Sequence, residues 1–176
     1  MRANAKGYLD QASKIVRFSG PNPIKILYNG DWLNKLNKTD ILNIAEHFSV
    51  QQLIERDMFQ ERLKAKETIN LREFLYPLLQ AYDSVHMEVD LELGGSDQTF
   101  NMLAGRTLLK AMKNKEKFVM TTPLLSDSKG VKIGKSEGNV IGLTDSSNDL
   151  YGKIMALGDD AIIPMFNLLT DAPTEE

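Results

Sequence analysis

The stretch Val89-Asp90-Leu91-Glu92-Leu93-Gly94-Gly95-Ser96-Asp97-Gln98 decides the fold. Apolar and acidic residues alternate from Val89 to Leu93, the period of a β-strand, and the run stops at two adjacent glycines. Asp97 then opens a helix on which Met102, Leu103, Leu108, Leu109 and Met112 supply the buried side, and Phe118 to Leu125 reads as another strand. A strand, a glycine turn, a helix and a second strand form one unit of an α/β sheet. Ligands of such sheets bind where strands end and helices begin, which makes Gly94 to Gln98 the first candidate site.

Working backwards, Asn70 followed by Glu73 is a capping pattern for a helix to about Asp83, with Phe74, Leu75, Leu78, Leu79 and Tyr82 apolar and Pro77 near its start. Before it, Thr39 caps a helix through Glu46, and Ser49 with Gln52 opens a second through Arg62, forming a helical insert. Ile24 to Tyr28 is a strand or extended segment entering the turn Asn29-Gly30-Asp31. Leu9, Ala12, Ile15 and Val16 mark an amphipathic helix that ends before Ser19. Downstream, Ser126 to Asn139 is rich in lysine, glycine and serine, and Tyr151 to Leu157 and Ala161 to Leu169 read as short closing helices.

Three clusters can carry chemistry. At the glycine turn, Gly94 and Gly95 let a bulky ligand approach the backbone and Asp97 can accept from a ribose diol; alone, the same residues suit a tight turn with Asp97 as a helix cap. Tyr76, Gln80 and Asp83 fall on one helix stripe and could hold a small polar molecule by its ammonium and hydroxyl groups, although an exposed polar face has the same spacing. Lys129, Lys132 and Lys135 share a loop with Gly130, Gly134 and Gly138. Such a loop can close over a triphosphate and neutralise charge as a phosphoryl bond breaks, or be merely a solvated basic loop. It is not a Walker A loop, because the Gly-x-x-x-x-Gly-Lys-Ser/Thr spacing is absent.

Composition narrows the classes. The 176 residues are 42% hydrophobic and 26% charged, enough for one core or two small ones. A net charge of −3 argues against bulk electrostatic binding to nucleic acid, so any RNA contact must be a local patch. The absence of cysteine removes disulfides, thiolate catalysis and cysteine zinc sites, and fits a cytoplasmic location. No apolar run approaches the ~20 residues of a membrane helix, and no metal site is expected.

Taken in order, Tyr76-Pro77-Leu78-Leu79-Gln80-Ala81-Tyr82-Asp83, Gly94-Gly95-Ser96-Asp97-Gln98 and Lys132-Ile133-Gly134-Lys135-Ser136 resemble bacterial-type tyrosyl-tRNA synthetases, class I aminoacyl-tRNA synthetases. Tyr28-Asn29 with Trp32, and His47 to Val50, extend the resemblance over nearly the whole chain. It implies an α/β fold, the second half of a Rossmann-like catalytic domain with a helical connective insertion. Residues 1–145 would be partial catalytic domain: 18–70 the insertion, 71–125 the tyrosine- and ribose-binding half, and 126–145 a loop of the Lys-Met-Ser-Lys-Ser type. Residues 146–176 would begin a helical linker toward an anticodon-binding domain.

The resemblance also implies roles. Tyr76 and Gln80 would hold the α-amino group of tyrosine, Asp83 would accept from its phenolic hydroxyl, and Gln98 would contact the carboxyl end. Gly94, Gly95 and Asp97 would border the adenosine of ATP, which is a substrate arriving with Mg2+; no tightly bound cofactor is expected. Lys132 and Lys135, with Ser136, would stabilise the transition state in which the tyrosine carboxylate attacks the α-phosphate, with no nucleophilic side chain or general base. Ile133 and Gly134 depart from the Met and Ser of that loop motif. Arg106, Lys110, Lys113 and Lys117 lie at three- and four-residue steps and could meet a tRNA(Tyr) acceptor stem, or simply place charge at a helix C-terminus. A homodimer through Ile41 to Leu63 is implied as well.

Against these stands one departure: neither His47 nor His86 lies in the His-x-Gly-His motif of class I enzymes. The chain therefore reads as an internal fragment, inactive alone. Two rivals remain: a tryptophanyl synthetase, disfavoured by Tyr76 with Gln80, and a non-catalytic RNA-binding or scaffold protein derived from a synthetase.

Overall fold

The computed structural model describes residues 2–127, 130–134 and 138–173, with side chains from Gly7 onward. The chain divides into two compact units, residues 28–123 and residues 1–27 with 124–176.

In the first unit, short helices α2 (Gly30–Leu33), α3 (Lys38–Ala45), α4 (Val50–Ile54) and α5 (Asp57–Lys64) precede the long α6 (Leu71–Met87). There follow β1 (Leu91–Gly95), a 3-10 turn at Ser96–Gln98, α7 (Thr99–Lys113) and β2 (Phe118–Thr122). The strands pair in parallel, Leu91 opposite Phe118 through Gly95 opposite Thr122, with α7 as the crossover, so the unit is the α/β arrangement expected. Ile44 and Leu53 from the expected insertion share one core with Leu78, Ala81 and Val85 of α6 and Ala104, Leu108 and Leu109 of α7.

Local signals set the helix starts. Glu73 accepts from the Asn70 backbone N–H at 2.9 Å, and Ser49 and Gln52 form a reciprocal capping box. The cap of α3 is Asn37 rather than Thr39, because the Asn37 side chain accepts from the backbone of both Thr39 and Asp40. The helix expected from Ser49 to Arg62 is broken: Arg56 has an extended backbone, and its guanidinium lies over Phe59 and Phe100 at 5.0 and 5.3 Å. Packing against α7 thus overrides helical continuity.

The faces of the sheet depart from habit. An alternating strand ordinarily turns its apolar side inward, yet Leu91, Leu93, Phe118 and Met120 are 49–73% exposed while Glu92 is largely covered. On α7, Met102, Leu108 and Leu109 are buried as expected, whereas Leu103 and Met112 are exposed.

In the second unit, α1 (Arg2–Ala12) stops earlier than the apolar spacing suggests, Ser13 to Val16 forming turns instead. The chain continues after β2 into an antiparallel bridge between Ser126 and Lys132, then α8 (Ser147–Met155), a 3-10 turn at Asp159–Ala161 and α9 (Ile162–Leu169). Ile24 to Tyr28 has no strand pairing. Among the described residues no helix is long and apolar enough to cross a membrane.

Candidate functional site

Helix α6 is amphipathic, and its two faces explain the site. Leu78, Ala81 and Val85 point into the core, which turns Tyr76, Gln80 and Asp83 to the opposite side. All three line one cavity of about 520 Å³, joined there by Gln98 from the turn after β1. Tyr76 is 63% exposed, while Asp83 is half-buried.

Asp83 is held from outside α6. Its carboxylate accepts from Trp32 Nε1 at 2.8 Å and from Asn29 Nδ2 at 3.2 Å. The Trp32 indole in turn stacks on the His86 ring, one turn beyond Asp83, with centroids 4.4 Å apart. Burial raises the Asp83 carboxyl above its ordinary range, the two hydrogen bonds pull it back, and the negative charge of Glu92 adds to the rise. The result is an oriented acceptor at the cavity wall. The sequence offered Trp32, its only tryptophan, and Asn29 without a role for either; their partnership with Asp83 spans more than fifty positions.

Gln98 is oriented too. Asn101, 5% exposed, donates through Nδ2 to Gln98 Oε1 at 3.1 Å, which leaves the Gln98 amide nitrogen as the donor available to a ligand. Gly94 has a packing reason: a Cβ there would lie 3.0 Å from Met102 Sδ. Asp97 is exposed in the 3-10 turn, and it lines a neighbouring cavity of about 490 Å³ with Arg56 and Phe100. The first cavity therefore gathers Tyr76, Gln80, Asp83 and Gln98 but not Asp97.

Lys132 belongs to the other unit and is exposed. Its carbonyl accepts from Asn139 Nδ2 at 3.1 Å, and Asn139 Oδ1 accepts from the Gly134 N–H at 2.9 Å, so one side chain clasps both ends of this stretch. The Ile133 N–H donates to the Leu125 carbonyl at 2.7 Å. Gly130, at φ +75°, makes the turn that a residue with a Cβ would strain. Lys135 and Ser136 lie outside the described residues, as does Lys129.

The basic face of α7 is shorter than its spacing suggests. Arg106 is exposed, Lys110 pairs with Glu116 at 2.7 Å, and Lys113 pairs with Glu88 at 3.2 Å. Lys117 is not on that face at all: its side chain is fully buried and bonded to Glu92 and Ser84. The chain has left α7 by Asn114, at φ +52°, which redirects Lys117 inward. Glu92 and Ser84 also line the first cavity, a connection that the sequence reading missed.

Known proteins resemble the chain over nearly its full length. The chain is 44% identical over 98% of its length to a tyrosine–tRNA ligase of Mannheimia succiniciproducens and 43% identical over 100% to one of Helicobacter hepaticus. It spans 43% and 44% of the length of those two proteins. Among solved structures, a tyrosyl-tRNA synthetase of Archaeoglobus fulgidus complexed with L-tyrosine shares the fold with a TM-score of 0.70 at 22% identity, covering 95% of this chain and 54% of that one. The family described as tRNA synthetases class I (W and Y) matches residues 2–175. The chain belongs to that family of class I tRNA synthetases.

Proposed function

We propose that the chain supplies the tyrosine- and nucleotide-binding part of a cytoplasmic tyrosine–tRNA ligase, which joins tyrosine to ATP and passes the tyrosyl group to tRNA(Tyr). One observation carries the reading: the Asp83 carboxylate, held by Trp32 and Asn29, lines a cavity shared with Tyr76, Gln80 and Gln98. A phenol needs an acceptor for its hydroxyl proton, and a half-buried carboxylate that phenylalanine deprives of that one donor makes the site selective. Tyr76 and Gln80 would take the ammonium group, and the amide nitrogen of Gln98 would donate to the carboxyl end.

Asp97 would bind the ribose of ATP beside Gly94 and Gly95, and Lys132 and Lys135, with Ser136, would face the phosphates with their Mg2+. A carboxylate oxygen of tyrosine bonds to the α-phosphorus as the bond to the bridging oxygen breaks, and pyrophosphate leaves. A terminal ribose hydroxyl of the tRNA then attacks the acyl carbon, and AMP leaves. Alignment and positive charge drive both steps. Arg106, Lys110 and Lys113 are the proposed acceptor-stem contacts. Because the sequence has no His-x-Gly-His, the chain alone is expected to bind tyrosine without appreciable pyrophosphate exchange.

Calorimetric titration of the purified chain with L-tyrosine and L-tryptophan tests the reading. Tyrosine should bind more tightly; preference for tryptophan would transfer the site to the other amino acid of the family, and no binding of either would refute it.

A further inference from the structure

The pocket is bordered by a buried ionic network. The Lys117 side chain, 0% exposed, is a fully buried cation. Its ammonium is bonded to the Glu92 carboxylate and donates to Ser84 Oγ at 2.8 Å; Ser84 Oγ donates in turn to Glu92 at 3.2 Å. Three segments meet at this point: α6 through Ser84, β1 through Glu92, and the residue before β2. Glycine at position 105 of α7 leaves room for the ammonium as it stands, since a Cβ there would lie 2.6 Å from both Lys117 Nζ and Ser84 Oγ.

The placement has a consequence for the ligand. Ser84 adjoins Asp83, and both Ser84 and Glu92 line the cavity that holds Tyr76, Gln80 and Asp83. The cavity wall thus carries two carboxylates, Asp83 and Glu92, whose like charges repel each other. A buried cation beside one of them separates their roles.

We propose that Lys117 is a positioning residue for amino-acid selection: it neutralises Glu92 and ties β1 to α6, so that Asp83 remains the acceptor that reads the ligand hydroxyl. This rests on the tyrosine-pocket reading given above. Lys117 touches no ligand itself; it acts through Glu92 and Ser84. Without it, the Glu92 carboxylate stands unpaired in the pocket wall, a larger penalty than the absence of the whole pair.

Titration calorimetry of the 176-residue chain with L-tyrosine and L-phenylalanine, on the unsubstituted protein and three variants, tests the proposal. Lys117→Met should weaken tyrosine about tenfold, the loss of one charge-assisted contact, with phenylalanine less affected, so that the ratio between them narrows. Lys117→Met combined with Glu92→Gln removes the unpaired charge and should restore the ratio to that of the unsubstituted chain. Gly105→Ala retains both charges but displaces the ammonium, and should weaken tyrosine as Lys117→Met does. A role in packing alone predicts the reverse pattern: a double variant no better than the single, and an unchanged ratio in all three. Either result overturns the proposal, and if Lys117→Met does not fold, the other two variants decide it. Failure of the unsubstituted chain to bind tyrosine would instead defeat the pocket reading, and the proposal with it.

Discussion

Asp83 shows how neighbours turn an ordinary side chain into an oriented acceptor. A carboxylate on the polar stripe of a helix is ordinarily a solvated charge, but here an indole N–H and an amide N–H aim it, and partial burial makes an unused acceptor costly. Trp32→Phe keeps the stack on His86 while removing the stronger donor. The Asp83 carboxyl should then rise further, and tyrosine affinity should fall about tenfold, the worth of one hydrogen bond to a charged group; unchanged affinity by calorimetry would show that Asp83 is oriented by other means. At this scale the sequence was only partly legible. The stripe Tyr76, Gln80, Asp83 was visible as spacing, whereas Trp32, Asn29 and Lys117 carry no local signal of their partners. Lys117 follows three basic residues at helical steps and reads as a fourth; only the left-handed turn at Asn114 separates it from them.

Among elements, α6 bears most of the candidate site, and its start is fixed by Glu73. That carboxylate accepts from the Asn70 backbone and pairs with Arg62 of α5 at 2.5 Å, fastening the insertion to the site helix. The Arg62 hydrogen bond, helped by Asn70, lowers the Glu73 carboxyl from 4.5 to about 2. Its folded value lies below its unfolded one, so the pairing stabilises fully above pH 4.5 and is lost as pH falls toward about 2. Asp83 has the opposite sign: raised in the folded chain, its contribution is present below its ordinary value and disappears as pH rises through the folded one. Glu73→Gln should therefore flatten the acid limb of a thermal-melting series, and an unaltered limb would remove Glu73 from the account. The Asn70 and Ser49 boxes were legible because capping is local, and the β1–α7–β2 unit was legible from its periodicity, although Gly94 and Gly95 extend β1 instead of making the expected turn. The break at Arg56 and the outward leucines of β1 were not, since both depend on what packs against them.

For the molecule as a whole, the residues proposed to read tyrosine lie in the unit of residues 28–123, and those proposed for the phosphates lie in the other. On that proposal, tyrosine binding belongs to the first unit and can be measured without the phosphoryl chemistry. The dimer that the resemblance implies through Ile41 to Leu63 would likewise belong to the first unit: Leu42, Val50 and Met58 are exposed there, and sedimentation equilibrium should show self-association, a monomer at high concentration arguing against it. The most direct measurement is calorimetric titration of the chain and its Asp83→Ala variant with L-tyrosine and L-phenylalanine. The account predicts that the unsubstituted chain prefers tyrosine and that the variant loses this preference by weakening tyrosine while leaving phenylalanine nearly unaffected. Equal preference in the two proteins would contradict it.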